Sequence, residues 1–175
     1  VQGTPAPFTE SLGLEPGSYS VATIHRAENT DDPKRLAAIL NSLSKVDHPV
    51  VILAHPRLVA KAAEHDLEVG GGNLIAHAPL PYPELVAAVM NSRGVITDSG
   101  GLQKEAFLLR VPCTTVRTET EWVETVELGW NVLVEPGLEL TAAAQRELPA
   151  PTDAAPYGDG HAADNVVAAL TLDEL

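Results

Sequence analysis

The chain has 175 residues, enough for one ordinary domain whose core takes roughly 70% of the unfolded surface out of water. Its formal net charge of −13, from 24 acidic against 11 basic residues, argues against a nucleic-acid partner, which needs a basic stripe to release counterions. The single cysteine, Cys113, excludes an internal disulfide and a cysteine-rich zinc cluster, and it falls in a strand-like run that makes it a small core residue.

Residues 1–18 read as a linker, because Val1–Gly17 is rich in Pro and Gly, and the start at Val1 without Met makes a piece of a longer protein the expectation. Short apolar runs then alternate with helix-period segments. The runs are Tyr19–Ile24, Val50–Ala54, Asn73–Ala76, Gly94–Thr97, Cys113–Val116 and Asn131–Val134. Between the first two, Leu36, Ile39, Leu40 and Leu43 recur at helical spacing after Pro33; between the third and fourth, Tyr82, Leu85, Val86 and Val89 do so after Pro81. This alternation predicts an α/β fold, a Rossmann-like doubly wound parallel sheet of about six strands, spanning residues 19–148. Residues 149–175 read as an irregular stretch followed by a helix over Ala162–Leu170. No signal peptide is visible and no apolar run approaches the roughly 18 residues of a membrane span, so no membrane is expected and a cytoplasmic location is. The acidic excess is local: from Thr118 onward Arg146 is the single basic residue, and this surface reads as solvation.

In a doubly wound sheet, ligands sit outside the carboxyl ends of the strands. The residues that follow each run therefore converge: His25-Arg26, His55-Pro56-Arg57, His77, Asp98-Ser99-Gly100-Gly101 and Arg117. Cationic and polar groups recur at this one structural place in a strongly acidic chain, which predicts a local site for an anionic ligand. His48 and His77 read as structural or exposed.

Ser99-Gly100-Gly101 is the most specific element. A strand that turns directly into a helix there offers unpaired backbone N–H groups, the positive end of the helix dipole and no Cβ to hold an anion away. Glu105 lies about one turn further in, and helical side chains tilt toward the N-terminus, so its carboxylate can accept hydrogen bonds from a sugar diol. Together they suggest a nucleotide. The competing reading is structural: Ser99 as an ordinary helix cap and Glu105 as a solvated position. Arg117 is placed to meet a diphosphate with a two-pronged guanidinium. Glu28 and Asn29 can brace the first loop and cap the helix near Pro33. Ser99 lacks a Gly-x-Ser-x-Gly elbow, no Gly-x-Gly-x-x-Gly follows the first strand, and no histidine pair has zinc spacing. Neither a nucleophilic serine nor a metal nor a cofactor is expected.

His25-Arg-x-Glu-Asn29, His55-Pro-Arg57, Asp98-Ser-Gly-Gly-x-Gln-x-Glu-Ala106 and Arg117-x-x-Thr-Glu121, in this order, resemble the non-hydrolysing UDP-N-acetylglucosamine 2-epimerase family. The resemblance runs from about Tyr19 to Val134, and Tyr157-Gly-Asp-Gly160 is similar to the start of the family's closing helix. It implies a GT-B enzyme of two Rossmann-like halves, of which this chain is the C-terminal, UDP-gripping one, with the N-terminal domain as its missing partner and a homodimer as a possible assembly. It further implies that Ser99, Gly100 and Gly101 hold the diphosphate, Glu105 the ribose hydroxyls, and Arg117 and His25 the phosphate region. The loop at Pro81-Tyr82 would lie near uracil, and His55 would be a further pocket residue.

The family reaction inverts C2 of a UDP-N-acetylhexosamine by eliminating UDP and adding it back, a step in cell-envelope polysaccharide biosynthesis. His25 is the catalytic candidate, and the base for the C2 proton comes from the other half, so this chain alone is expected to be inactive. Where many members carry Thr-Glu-Arg-Pro-Glu this chain has Thr120-Glu121-Trp122-Val123-Glu124, which bears on substrate identity. Two alternatives stand: the C-terminal half of a GT-B glycosyltransferase, and a non-catalytic UDP-sugar-binding module.

Overall fold

A computed structural model describes residues 7–172. Its centre is a six-stranded, all-parallel sheet in the order β3-β2-β1-β4-β5-β6, formed by β1 (Ser20–Thr23), β2 (Val50–Leu53), β3 (Leu74–His77), β4 (Gly94–Thr97), β5 (Cys113–Thr115) and β6 (Asn131–Leu133). Each expected run holds one strand, with β3 running one residue past its expected end, to His77. Successive side chains of a strand point to opposite faces. Ala22, Val50, Ile52 and Ile96 accordingly enter one apolar cluster, while Val21, Val51, Leu53 and Val95 enter another on the far side. Both faces of β1 and β2 are buried, which is why these strands read as continuous apolar runs instead of alternating ones.

The first face is covered by α3 (Pro33–Ser44), α4 (Pro56–Glu64) and α8 (Leu138–Ala144), following the short α2 (Ala27–Thr30). Leu36, Ile39, Leu40 and Leu43 of α3 are all buried, as their spacing predicts. The helix is capped by Asp32, whose carboxylate accepts from the amides of Lys34 and Arg35, with Pro33 in the first turn. The expected cap from Glu28 or Asn29 is thus replaced by Asp32, the residue immediately before the helix; Asn29 is buried and braces the loop. The second face is covered by α5 (Tyr82–Met90) and α6 (Gly100–Leu108).

Within the segment read as a linker, α1 (Pro7–Ser11) forms and Leu12 and Leu14 pack on the second cluster. α7 (Val123–Glu127) connects β5 to β6, and beyond α8 come an irregular stretch and α9 (Ala162–Leu172). Cys113 is buried, and removal from water pushes its thiol up to about 12. His48 is buried between Ser20 Oγ and Asp47, a structural role. Among the described residues no helix is long and apolar enough to cross a membrane. The strand order reverses between β1 and β4, and the carboxyl ends of these two neighbours carry His25 and Ser99.

Candidate functional site

A cavity of about 300 Å³ opens at that reversal. His25, His55, Tyr82, Ser99, Gly101 and Glu105 share its wall, brought together from loops and helix starts separated by up to 80 positions in sequence. The apolar part of the wall comes from Leu53, Pro79, Leu80, Leu85 and Leu102. One end is therefore polar and anion-seeking, and the other suits a flat apolar ring.

The polar end is the start of α6. Ser99 stands at the cap position, and its side chain makes no capping bond. The Ser99 amide is spent on Thr97 Oγ1 at 2.9 Å. The amides of Gly100, Gly101 and Leu102 find no acceptor among the described residues. Gly101 faces open space: a Cβ built on it meets nothing within 4 Å. Open donors, a helix dipole and room for a group where a side chain would stand are the features that an anion cradle needs.

Behind the cradle lies a buried polar network. Gln103 Nε2 donates to the Ser99 carbonyl at 3.2 Å, while its Oε1 accepts from Thr120 Oγ1 at 2.6 Å and from Asn131 Nδ2 at 3.1 Å. Trp122 Nε1 donates to the Gly100 carbonyl at 2.6 Å.

His25 is fixed by Asp98, a fully buried carboxylate at the end of β4. Asp98 accepts from the amides of His25 and Arg26 and from Asn29 Nδ2, and its Oδ1 lies 3.3 Å from His25 Nδ1. With Nδ1 turned to Asp98, Nε2 is the ring nitrogen left for a ligand. Asn29 also donates to the Val116 carbonyl and so ties the loop after β1 to the end of β5. The His25 and His55 rings lie 5.3 Å apart. His55 has a second duty as the cap of α4, where its Nδ1 accepts from the Arg57 amide at 3.1 Å. Arg57 itself is occupied with Thr30 and Asp31, outside the cavity wall. His77 lies against the Ala78 carbonyl.

At the far side, the Tyr82 hydroxyl donates to Glu105 Oε1 at 3.1 Å, and the carboxylate raises the phenol pKa through that bond. Tyr82 and Glu105 therefore form one wall.

Gly100 and Arg117 stand apart from the other expected residues. Neither is in the cavity wall. Arg117 is buried and held by Glu121 at 2.9 Å, with Glu28 at 4.0 Å, and the Glu121 carboxylate also lies against Gly100 and 3.7 Å from Arg26. The Glu121 carboxyl is lowered by a backbone hydrogen bond and by Arg117. Its charge thus occupies the ground between the helix start and two guanidiniums. Thr97 entered the sequence reading only as the end of an apolar run, and Asp98, Gln103 and Trp122 only as members of motifs, without a role of their own. Asp98, a carboxylate at the carboxyl end of a central strand, carried the clearest physical signal among them.

The chain matches, over residues 4–171, the profile of the family described as UDP-N-acetylglucosamine 2-epimerase. The chain belongs to this epimerase family. A UDP-N-acetylglucosamine 2-epimerase homolog of Methanococcus maripaludis is 40% identical over 134 residues, covering 71% of this chain and 36% of that protein. The UDP-2,3-diacetamido-2,3-dideoxy-D-glucuronate 2-epimerase of Pseudomonas aeruginosa is 38% identical over 90% of this chain and 46% of its own length. The structure of the UDP-GlcNAc 2-epimerase of Methanocaldococcus jannaschii in complex with UDP-GlcNAc and UDP superposes with a TM-score of 0.81 at 32% identity, over 94% of this chain and 47% of that one. The chain thus spans less than half the length of each of these relatives. The calicheamicin glycosyltransferase CalG4, at 19% identity and a TM-score of 0.51, shares the fold alone. The fold is one Rossmann-like half of the GT-B type.

Proposed function

We propose that this chain is the UDP-binding half of a nucleotide-sugar 2-epimerase, completed by a second Rossmann-like half. The observation that carries the reading is the run of open amides that starts α6, of which those of Gly101 and Leu102 belong to residues in the wall of a cavity whose other wall is Tyr82-Glu105. In this reading the β-phosphate rests on the start of α6 beside the Ser99 hydroxyl, Glu105 accepts from the ribose hydroxyls, and uracil lies toward Leu80, Leu85 and Tyr82.

The reaction follows from what such a cradle stabilises. Loss of the C2 proton and cleavage of the bond between C1 and the diphosphate oxygen leave a 2-acetamidoglucal and UDP, whose diphosphate takes up the bonding pair as charge. Amides already aimed at that place need no reorganisation as the charge grows. His25, with Nδ1 held by Asp98, offers Nε2 to the departing phosphate. Return of UDP to C1, with a proton added to the opposite face of C2, completes the inversion. The groups that take and return that proton belong to the other half, so the isolated chain binds and does not turn over. Arg117 enters the site only when its clasp with Glu121 opens.

Calorimetric titration with UDP, with AMP as the control, tests the reading. Binding of UDP over AMP is the expected outcome; equal binding, or none, removes it. The Pseudomonas aeruginosa relative is named for a diacetamido uronate. With the second half restored, exchange of solvent deuterium into C2 of UDP-N-acetylglucosamine or of that uronate decides which sugar is used.

A further inference from the structure

The direction of the Gly101 N–H is set by the peptide between Gly100 and Gly101, the first of α6. Glycine on both sides leaves that peptide without the Cβ contacts that restrain its neighbours. A planar trans peptide holds its C=O and N–H in opposite directions, so a partner on the carbonyl aims the N–H at the far side. Trp122 Nε1 is such a partner, at 2.6 Å from the Gly100 oxygen, and Gly101 lies in the cavity wall. Gln103 does the same one peptide earlier by holding the Ser99 carbonyl.

The indole is itself gripped. Tyr157 meets it edge-on with ring centroids 5.5 Å apart, and Lys104 Nζ lies 4.9 Å from the Trp122 ring and 4.8 Å from that of Tyr157. Lys104 belongs to α6, so the helix whose first carbonyl Trp122 holds also clamps the ring that holds it. The Trp122 amide donates to Thr120 Oγ1, and Thr120 in turn donates to Gln103, which joins the two carbonyl holders in one network.

From this geometry we infer that Trp122 is a positioning residue for the phosphate cradle, holding the Gly100–Gly101 peptide so that the Gly101 N–H faces the diphosphate. The inference rests on the cavity being a nucleoside diphosphate site. It makes the aromatic stack of Trp122 and Tyr157 part of the binding machinery without either ring touching the ligand.

The test compares UDP with uridine. Trp122→Phe keeps an aromatic ring for Tyr157 and Lys104 and deletes the donor. It is expected to weaken UDP about tenfold, the scale of one hydrogen bond to a charged group, and to leave uridine unchanged. Equal weakening of both ligands, or none of either, overturns the inference, since a merely structural tryptophan cannot distinguish them. If Trp122→Phe does not fold, replacing the Trp122 indole by its benzothiophene isostere, which lacks only the N–H, gives the same comparison. If the unaltered chain binds neither ligand, it is the proposed function that fails. The peptide is then read in the ligand-free protein, where loss of the donor is expected to broaden the Gly101 amide resonance. An unmoved Gly101 resonance overturns the inference there.

Discussion

Asp98 Oδ1 stands 3.3 Å from His25 Nδ1, and the same buried carboxylate accepts the amides of His25 and Arg26 and the side-chain amide of Asn29. One side chain therefore sets the path of the loop after β1 and the direction of the imidazole it carries. The two residues are 73 positions apart and meet because β1 and β4 are neighbours in the sheet. Asp98→Ala leaves three donors without a charged acceptor. A loss of at least about 3 kcal/mol is expected, measured by urea unfolding. The milder Asp98→Asn is expected to retain the fold and weaken UDP binding, because its amide cannot accept from all three donors.

Gly101 separates stability from binding. Its Cβ position is open space and the residue lies in the first turn of α6, so Gly101→Ala is expected to stabilise the free protein by up to about 1 kcal/mol. The same methyl fills the place proposed for phosphate, so UDP affinity is expected to fall at least tenfold. Thermal unfolding and calorimetry on one sample check the opposite signs. A variant that is more stable and binds UDP undiminished contradicts the cradle.

Glu105 is the proposed reader of the sugar. Glu105→Gln is expected to cost about 1–2 kcal/mol in binding UDP and far less in binding its 2′-deoxy counterpart. Tyr82→Phe removes the donor that now shares the Glu105 carboxylate. It is expected to return the Tyr82-dependent part of the wall to an apolar surface while leaving preference for the ribose intact. Titrations with the two nucleotides, for each variant, provide the check.

Alkaline stability follows from two buried groups. Burial raises Cys113 from 9.0 to about 12 and Tyr19 from 10.0 to about 12. Each folded-state pKa lies above its unfolded value, so the folded protein holds the proton more tightly. The stability this contributes is full below the unfolded value and is lost as pH rises toward 12. Unfolding free energy is expected to start declining above pH 9, led by Cys113, with Tyr19 joining above pH 10. Cys113→Ala is expected to move the onset up to about pH 10, as measured by urea titrations across this range.

The clasp between Arg117 and Glu121 titrates at the other end of the scale. The Glu121 carboxyl is lowered, so what the clasp contributes is present above the ordinary carboxylate value and is lost as pH falls through the lowered one. Glu121→Gln is expected to release Arg117 at neutral pH and to strengthen UDP binding several-fold if the freed guanidinium turns to the diphosphate. A calorimetric titration that shows weaker binding instead assigns Glu121 to holding Arg117 in its working position.

Much of this protein is determined by its sequence alone. Continuous apolar runs between amphipathic segments dictate six parallel strands with the central ones buried on both faces, since only a sheet covered on both sides gives every residue of β1 and β2 an apolar neighbour. The position of the cavity was legible as well, because the polar residues that follow successive strands must emerge at one edge of such a sheet. His25, His55, Ser99, Gly101 and Glu105 meet there. What the tertiary structure alone decided is who partners whom across it. Nothing local to Ser99 says that its hydroxyl is left uncapped while Thr97 takes its amide. Nothing local to Arg117 says that Glu121 claims it. Trp122 reads as a break in a motif until the packing of α6 against α7 brings its indole to the Gly100 carbonyl. Periodicity records which side of an element is buried, whereas hydrogen-bond partners depend on distances between elements, and these exist only once the chain has folded.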